Sequence, residues 1–363
     1  MDYMATPAVS ILMAVYNGAE YLRIAIDSVI NQDFTDFEFV IVDDCSSDTT
    51  REIIEGYRDP RVVYIRNNTN LGQTASLNIA LRAARAHLVC RIDADDAFIQ
   101  GKLRRQVDFM ELHPEIAVCG TAAMRIDAQG RDVSVNRLPS DALDIRFRAV
   151  RTVPVIHVSA IMRRSIILLE GGYPEQYRFA ADYALWSLLL RQGHKITNVP
   201  EVLTKYRELD STFGASQKVG AAGSEAAEII MSNSKALAGV SLTESQARGI
   251  ALLYFPAAGS SAFDLCEAYK ILSRIASAVY GVRPLRVRRH LVALLFWSLI
   301  KRFSYVIKAT ESLSVSREAI RAARAFWYSP AVLVTLLIAV VVAPLGLKRI
   351  AAIKETLLLP QRN

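Results

Sequence analysis

The stretch that decides the fold is "VSILMAVYNGAEYLRIAIDSVINQDFTDFEFVIVDDCSSDTT", residues 9–50. It opens on an apolar run of strand length and passes through a short polar turn. It then enters "AEYLRIAIDSVINQ", where Leu22, Ile26, Val29 and Ile30 recur at helical spacing. A second apolar run, "FEFVIV", ends in paired acids, and "SSDTTREIIEGY" sets Ser and Asp cap residues ahead of another helical run. Strands and helices alternate, and the strands are near-continuous apolar runs. That pattern predicts a parallel sheet covered on both faces.

The alternation continues outward to about residue 120. "RVVYIR" is a third strand, "TASLNIALRAARA" a helix and "HLVCRI" a fourth strand. Ligands of such sheets bind beyond the carboxyl ends of the strands, and acids gather there. Asp43 and Asp44 follow the second strand, while Asp93, Asp95 and Asp96 follow the fourth in "CRIDADDAF". With the polar turn after the first strand, three strand ends on one edge predict a single site. Carboxylates this close require a cation among them. Hard oxygen ligands suit Mg²⁺ or Mn²⁺, which combines one or two carboxylates with water and substrate phosphates. The chain has no GxGxxG and no GxxxxGK[ST]. The ion is therefore expected to hold a nucleotide diphosphate without a glycine-rich cradle.

Past residue 120, "IDAQGRDV" reads as a hairpin turn, "VIHVSAIMRR" as a strand and "AADYALWSLLLRQG" as an amphipathic helix ending at Gly193. Residues 215–280 are Ala-rich with helical apolar spacing, residues 281–325 are strongly basic, and residues 325–347 carry no charge. The basic stretch suits RNA, an anionic membrane or no partner; its interleaved apolar segments favour the membrane surface and no nucleic acid. The uncharged run is long enough to cross a bilayer, and a span, a re-entrant segment, a monotopic helix and a buried core helix all remain open. Three segments are expected: a catalytic domain over 1–214, a helical basic region over 215–324, and an apolar membrane-associating tail over 325–363.

A length of 363 residues, 52% of them hydrophobic, implies a large core or contact with lipid, and the net charge of +7 suits an anionic partner. The four cysteines show no CxxC spacing and the five histidines are dispersed. Reduced, buried, structural cysteines are expected, with no zinc site. The N-terminus shows no export signal, so the catalytic part is expected in the cytoplasm.

"VSILMAVYNGAEYLRIAIDSVINQDFTDFEFVIVDDCSSDTT", "NLGQTASLNIAL", "CRIDADDAF" and "AADYALW" together resemble family 2 glycosyltransferases across residues 8–210. The resemblance implies a GT-A, Rossmann-like, mostly parallel α/β sheet flanked by helices, and an inverting, metal-dependent transfer from a nucleotide-sugar, UDP-linked, to an acceptor hydroxyl. It implies that Val15, Tyr16, Glu20, Asp43, Asp44 and Asp93 contact the donor. Asp95, with Asp96, would hold the Mn²⁺ or Mg²⁺, and Asp182 would be the general base. The family usually has Glu before that base; here the position is Ala181. The acceptor would be a lipid-linked or surface glycan precursor in polysaccharide biosynthesis, reached from the cytoplasmic face of the cell membrane. The plain alternative for Asp43 and Asp44 is turn formation and helix capping, which Asp48 could supply alone, so a functional role is favoured; Asp182 taken without the resemblance reads as a charge on an exposed helix face. His157 reads equally as an acceptor-pocket residue or a satisfied core histidine. Tyr206 and Arg207 are weaker candidates for the diphosphate. Two other readings compete: a nucleotidyltransferase of similar fold, which the missing glycine-rich basic loop disfavours, and an inactive membrane scaffold.

Overall fold

A computed structural model of the chain describes residues 6–208, 215–251, 254 and 262–281. The elements run β1 (Val9–Val15), α1 (Ala19–Ile30), β2 (Phe37–Asp43), α2 (Thr50–Glu55), β3 (Val62–Arg66), α3 (Gln73–Ala83), β4 (Leu88–Arg91), β5 (Ala97–Phe98), α4 (Lys102–Leu112), β6 (Ile116–Ile126), β7 (Asp132–Asn136), α5 (Ala142–Ala149), β8 (Ile161–Arg163), α6 (Arg164–Leu169), α7 (Ala181–Arg191), β9 (Lys195–Arg207), α8 (Ala215–Ala238), α9 (Glu244–Ala251) and α10 (Ala262–Tyr280).

One mixed sheet organises them in the order β3-β2-β1-β4-β8-β6-β9-β5, with β7 on β6. The first four strands are parallel. The chain reverses at β8, which is antiparallel to both β4 and β6. The expected parallel sheet is therefore one half of a mixed one. Alternate residues of the central strands feed two cores. Val9, Ile11, Met13, Phe37, Phe39 and Ile41 pack with α1 and α4 on one face. Leu12, Ala14, Val40 and Val42 pack with α3 and α7 on the other. Burial on both faces is why these strands carry no polar alternation.

Asp127–Arg131 form the expected turn between β6 and β7. α7 ends as anticipated, with Gly193 left-handed at φ 87° just beyond it. "VIHVSAIMRR" departs from expectation: His157–Ser159 form a 3-10 turn, only Ile161–Arg163 are strand, and Arg164 begins α6. Cys90 and Cys119 are free and buried, as expected, whereas Cys45 is free but only partly covered.

Contacts divide the chain into two units: Met1–Ala257 with Ile275–Val282, and Ala258–Arg274 with Arg283–Asn363. The first includes α8 and α9 along with the sheet. In the second, the described part is the N-terminal portion of α10. Among the described residues no helix is long and apolar enough to cross a membrane. The basic stretch from residue 282 and the apolar run at 325–347 lie outside the described residues.

Candidate active site

The carboxyl ends of β1, β2 and β4 enclose a cleft of about 340 Å³, which includes Val15, Tyr16, Glu20, Asp44, Gln73, Asp93 and Asp95 in its lining. The turn after β1 forms its floor and is tied to the turn after β2. The amides of Asn17, Gly18 and Ala19 donate in succession to Ser46 Oγ (3.0 Å), Thr50 Oγ1 (3.0 Å) and Asp48 Oδ2 (3.1 Å). Gly18 is required by space: a Cβ there would lie 2.6 Å from Val15 Cγ2. Tyr16 is 53% exposed, leaving its ring free for a ligand.

Adjacent acids are used differently. Asp43 is fully buried and is not part of the lining; it accepts from Ser46 N (2.8 Å) and Tyr64 Oη (3.0 Å) and pairs with Arg66 (3.3 Å). Asp44 reaches the cleft while fixing the loop ahead of α3: it accepts from Asn67 Nδ2, Leu71 N and Gly72 N, each at 2.8 Å. Helix capping, the plain alternative for this pair, falls to Asp48, which also accepts from Thr50 N at 3.0 Å.

The chain supplies its own cations to the second acidic group. Arg91, fully buried at the end of β4, donates to the Ile92 carbonyl and to Asp93 Oδ1. Gln73 Nε2 also donates to Asp93 Oδ1, at 2.9 Å. Asp96 is buried and outside the lining; it accepts from Arg207 N at 2.8 Å. Burial, then the charges of Asp93 and Asp95, hold its carboxyl well above the usual range. Arg207 also donates from Nε to the Asp95 carbonyl (2.9 Å) and from Nη1 to the carbonyls of Asp127 (2.9 Å) and Ala128 (3.0 Å). It therefore binds the acidic turn to β9, and neither it nor Tyr206 is in the lining.

Asp95 remains. It lines the cleft, accepts no side-chain hydrogen bond among the described residues, and its pKa is raised by burial and then by Asp93. Among the described residues no three His, Cys, Asp or Glu are grouped to hold a metal. A lining carboxylate with no partner among the described residues fits an ion completed by water and phosphate oxygens, the usual setting for Mg²⁺.

Asp182 sits half-buried in the first turn of α7 and accepts from Tyr183 N at 2.7 Å. Burial lifts its pKa to about 6; the Tyr183 amide opposes the rise and Asp93 adds to it. Asp182 is not among the residues lining the cleft, though the cleft acid Asp93 and Arg91 both influence its pKa. His157 is a core residue: its Nε2 lies 3.0 Å from Tyr173 Oη, its ring stands edge-on to Tyr173 and Trp186, and burial, then Arg91, keep it neutral. Sequence reasoning missed Gln73 and Arg91, although both stand in the quoted motifs. An arginine closing a buried strand two residues before an acid is the signal that identifies Arg91.

The fold is of GT-A type. It aligns with S. aureus TarS 1-349 in complex with UDP-GlcNAc at a TM-score of 0.53 and 20% identity, covering 82% of this chain and 87% of that one. In sequence, residues 10–168 match the model of "Glycosyl transferase family 2". "Uncharacterized glycosyltransferase MJ1057" of Methanocaldococcus jannaschii is 32% identical over 209 residues, 56% of this chain and 72% of the relative. "UDP-Glc:alpha-D-GlcNAc-diphosphoundecaprenol beta-1,3-glucosyltransferase WfaP" of Escherichia coli is 29% identical over 199 residues, 55% and 76% respectively. The chain belongs to glycosyltransferase family 2.

Proposed function

We propose that the protein moves a sugar from a UDP-sugar to an acceptor hydroxyl with inversion, and that Asp182 is the general base. The observation that carries this reading is Asp182 itself: a carboxyl in the first turn of α7, lifted by burial to about 6 with the cleft acid Asp93 adding to the rise. A base so tuned is ionised at neutral pH, and its conjugate acid is strong enough to give the proton up again. Tyr16, Asp44 and Asp93 would orient the nucleotide and ribose from the cleft wall, and Gln73 and Arg91 would keep Asp93 in place. Asp182 would take the acceptor proton as that oxygen attacks the anomeric carbon; a single displacement inverts the centre. Asp95 would hold a Mg²⁺ or Mn²⁺ ion, whose charge stabilises the departing diphosphate. UDP is favoured because WfaP is named for UDP-Glc and TarS is known with UDP-GlcNAc. WfaP's named diphosphoundecaprenol acceptor favours a lipid-linked polysaccharide precursor. An acceptor of that kind agrees with membrane association through residues 325–347 at the cytoplasmic face.

The test is incubation of the full chain with labelled UDP-, GDP- and dTDP-sugars and Mn²⁺, following donor hydrolysis. Release of free sugar from a UDP-sugar, abolished by chelator, is the expected result. Conversion of an NDP-sugar and added pyrophosphate to NTP and sugar-1-phosphate, instead of release of free sugar, would identify a nucleotidyltransferase, and inertness toward every donor would favour a scaffold.

A further inference from the structure

Helix α8 begins beyond the region matched by the family model, yet its acids reach the segment that presents Asp182. Glu225 Oε1 accepts from Arg178 N at 3.0 Å. Its Oε2 accepts from Phe179 N at 2.9 Å and from Ala180 N at 2.8 Å. One helical turn further along, Glu228 Oε1 accepts from Tyr177 Oη at 2.9 Å. Asn233 then secures the body of α7: its Nδ2 donates to Ser187 Oγ at 2.8 Å, and its Oδ1 accepts from Arg191 at 2.8 Å. The amides before and within a first helical turn have no partner inside the helix. α7 has Ala180 at its N-cap and no side-chain cap of its own. Glu225 of α8 instead holds the N-cap amide of Ala180 together with the two amides that precede it.

We propose that Glu225 is the positioning residue for Asp182, fixing the start of α7 so that the base meets the acceptor oxygen at a defined place. The inference rests on the reading of Asp182 as the base. It also accounts for Ala181: the carboxylate organising the base comes from α8 instead of from the adjacent position. Three amides held by one carboxylate fix the chain at 178–180, immediately ahead of Asp182. Without that carboxylate the first turn frays and the base samples a range of positions. A displacement of about 1 Å at a reacting group is enough to lower turnover by about a hundredfold. Donor binding draws on the strand ends and α3, which Glu225 does not touch. The loss should therefore fall on kcat and leave KM for the donor in place.

The experiment uses the full chain and the UDP-sugar it hydrolyses, with Glu225→Ala, Glu225→Gln, Asp182→Asn and the Glu225→Ala/Asp182→Asn double variant. Glu225→Ala should lower kcat between about tenfold and a hundredfold, with donor KM within about twofold of wild type. Glu225→Gln keeps one acceptor oxygen for Phe179 and Ala180 and should lose only about threefold, also covering the case in which the alanine variant fails to fold. In the Asp182→Asn background, Glu225→Ala should change kcat by less than about twofold, because a residue acting through Asp182 has nothing left to position. Hydrogen exchange at 178–180 should quicken in both Glu225 variants. If Asp182→Asn is inactive while folded Glu225→Ala or Glu225→Gln turns over normally with normal KM, this inference is overturned and the base reading stands. A multiplicative loss in the double variant also overturns it. If Asp182→Asn itself turns over at the wild-type rate, the base reading fails and the positioning role falls with it.

Discussion

Replacing Asp182 with asparagine should make the protein more stable while removing its activity. Burial lifts this carboxyl from its ordinary 3.8 to about 6, with Asp93 adding to the rise. Holding the charge in the folded state therefore costs up to about 3 kcal/mol at neutral pH. Asparagine is nearly isosteric, carries no charge and retains an oxygen for the Tyr183 amide, which stands at 2.7 Å. The sign follows from linkage: the folded pKa is raised, so the destabilisation is full above about pH 6, shrinks as Asp182 protonates, and is gone below about pH 4. Urea unfolding followed by tryptophan fluorescence is the assay, since Trp186 lies fully buried in the same helix. The variant should unfold at higher urea than wild type at about pH 8, with the difference vanishing toward about pH 4. Its turnover should fall by about a hundredfold or more with donor affinity kept. A variant less stable than wild type at pH 8, or a stability gain independent of pH, would refute the burial argument.

The same pKa predicts that wild-type kcat, measured at saturating donor, falls about tenfold for each pH unit below about 6 as the base protonates. Asp95→Asn should abolish the enhancement of UDP binding by Mn²⁺ in calorimetric titration while leaving the melting temperature within a few degrees of wild type, since Asp95 accepts no side-chain hydrogen bond among the described residues. Gly18→Ala should lower the melting point, at a cost of about 1–3 kcal/mol, and weaken UDP binding, because its Cβ would meet Val15 at 2.6 Å. Truncation before Arg283 should give a protein that no longer sediments with anionic vesicles but still hydrolyses donor; loss of the nucleotide site on truncation would assign the tail to the core.

The parallel half of the sheet was legible because β1 and β2 are buried on both faces and read as near-continuous apolar runs, interrupted only by Ser10 and Glu38 ahead of the acidic end. The antiparallel half was hidden for local reasons. β6, "IAVCGTAAMRI", is full of small residues with no strong periodicity. β9 contains Pro200, and its pairing with β6 slips there, from Thr121↔Val199 to Ala122↔Val202. Pro removes a ladder donor and signals a break, so a thirteen-residue strand does not read as one. In the site, the carboxylates were visible but their division of labour was not. Asp43 and Asp44, like Asp95 and Asp96, are neighbours whose side chains point to different surroundings, and only the folded turn decides which of each pair meets the cleft. Glu225 was invisible for another reason: nothing in an Ala-rich helix marks one acid as the cap of a helix elsewhere in the chain.

The stitching between the first two turns has a consequence for ligand discrimination. A helix that follows the first strand of such a sheet ordinarily offers its leading amides and positive end to a phosphate. Here three successive amides at the start of α1 are already occupied by Ser46, Thr50 and Asp48, and Asp48 brings a negative charge with it. A lone phosphate arriving at this turn meets an end that is already neutralised. On the proposed function, phosphate recognition would then fall to the cation that arrives with the ligand, since two adjacent phosphates chelate a divalent ion better than one does. The closed turn should therefore favour a nucleoside diphosphate over a monophosphate, a preference that paired UDP and UMP titrations in Mn²⁺ would measure.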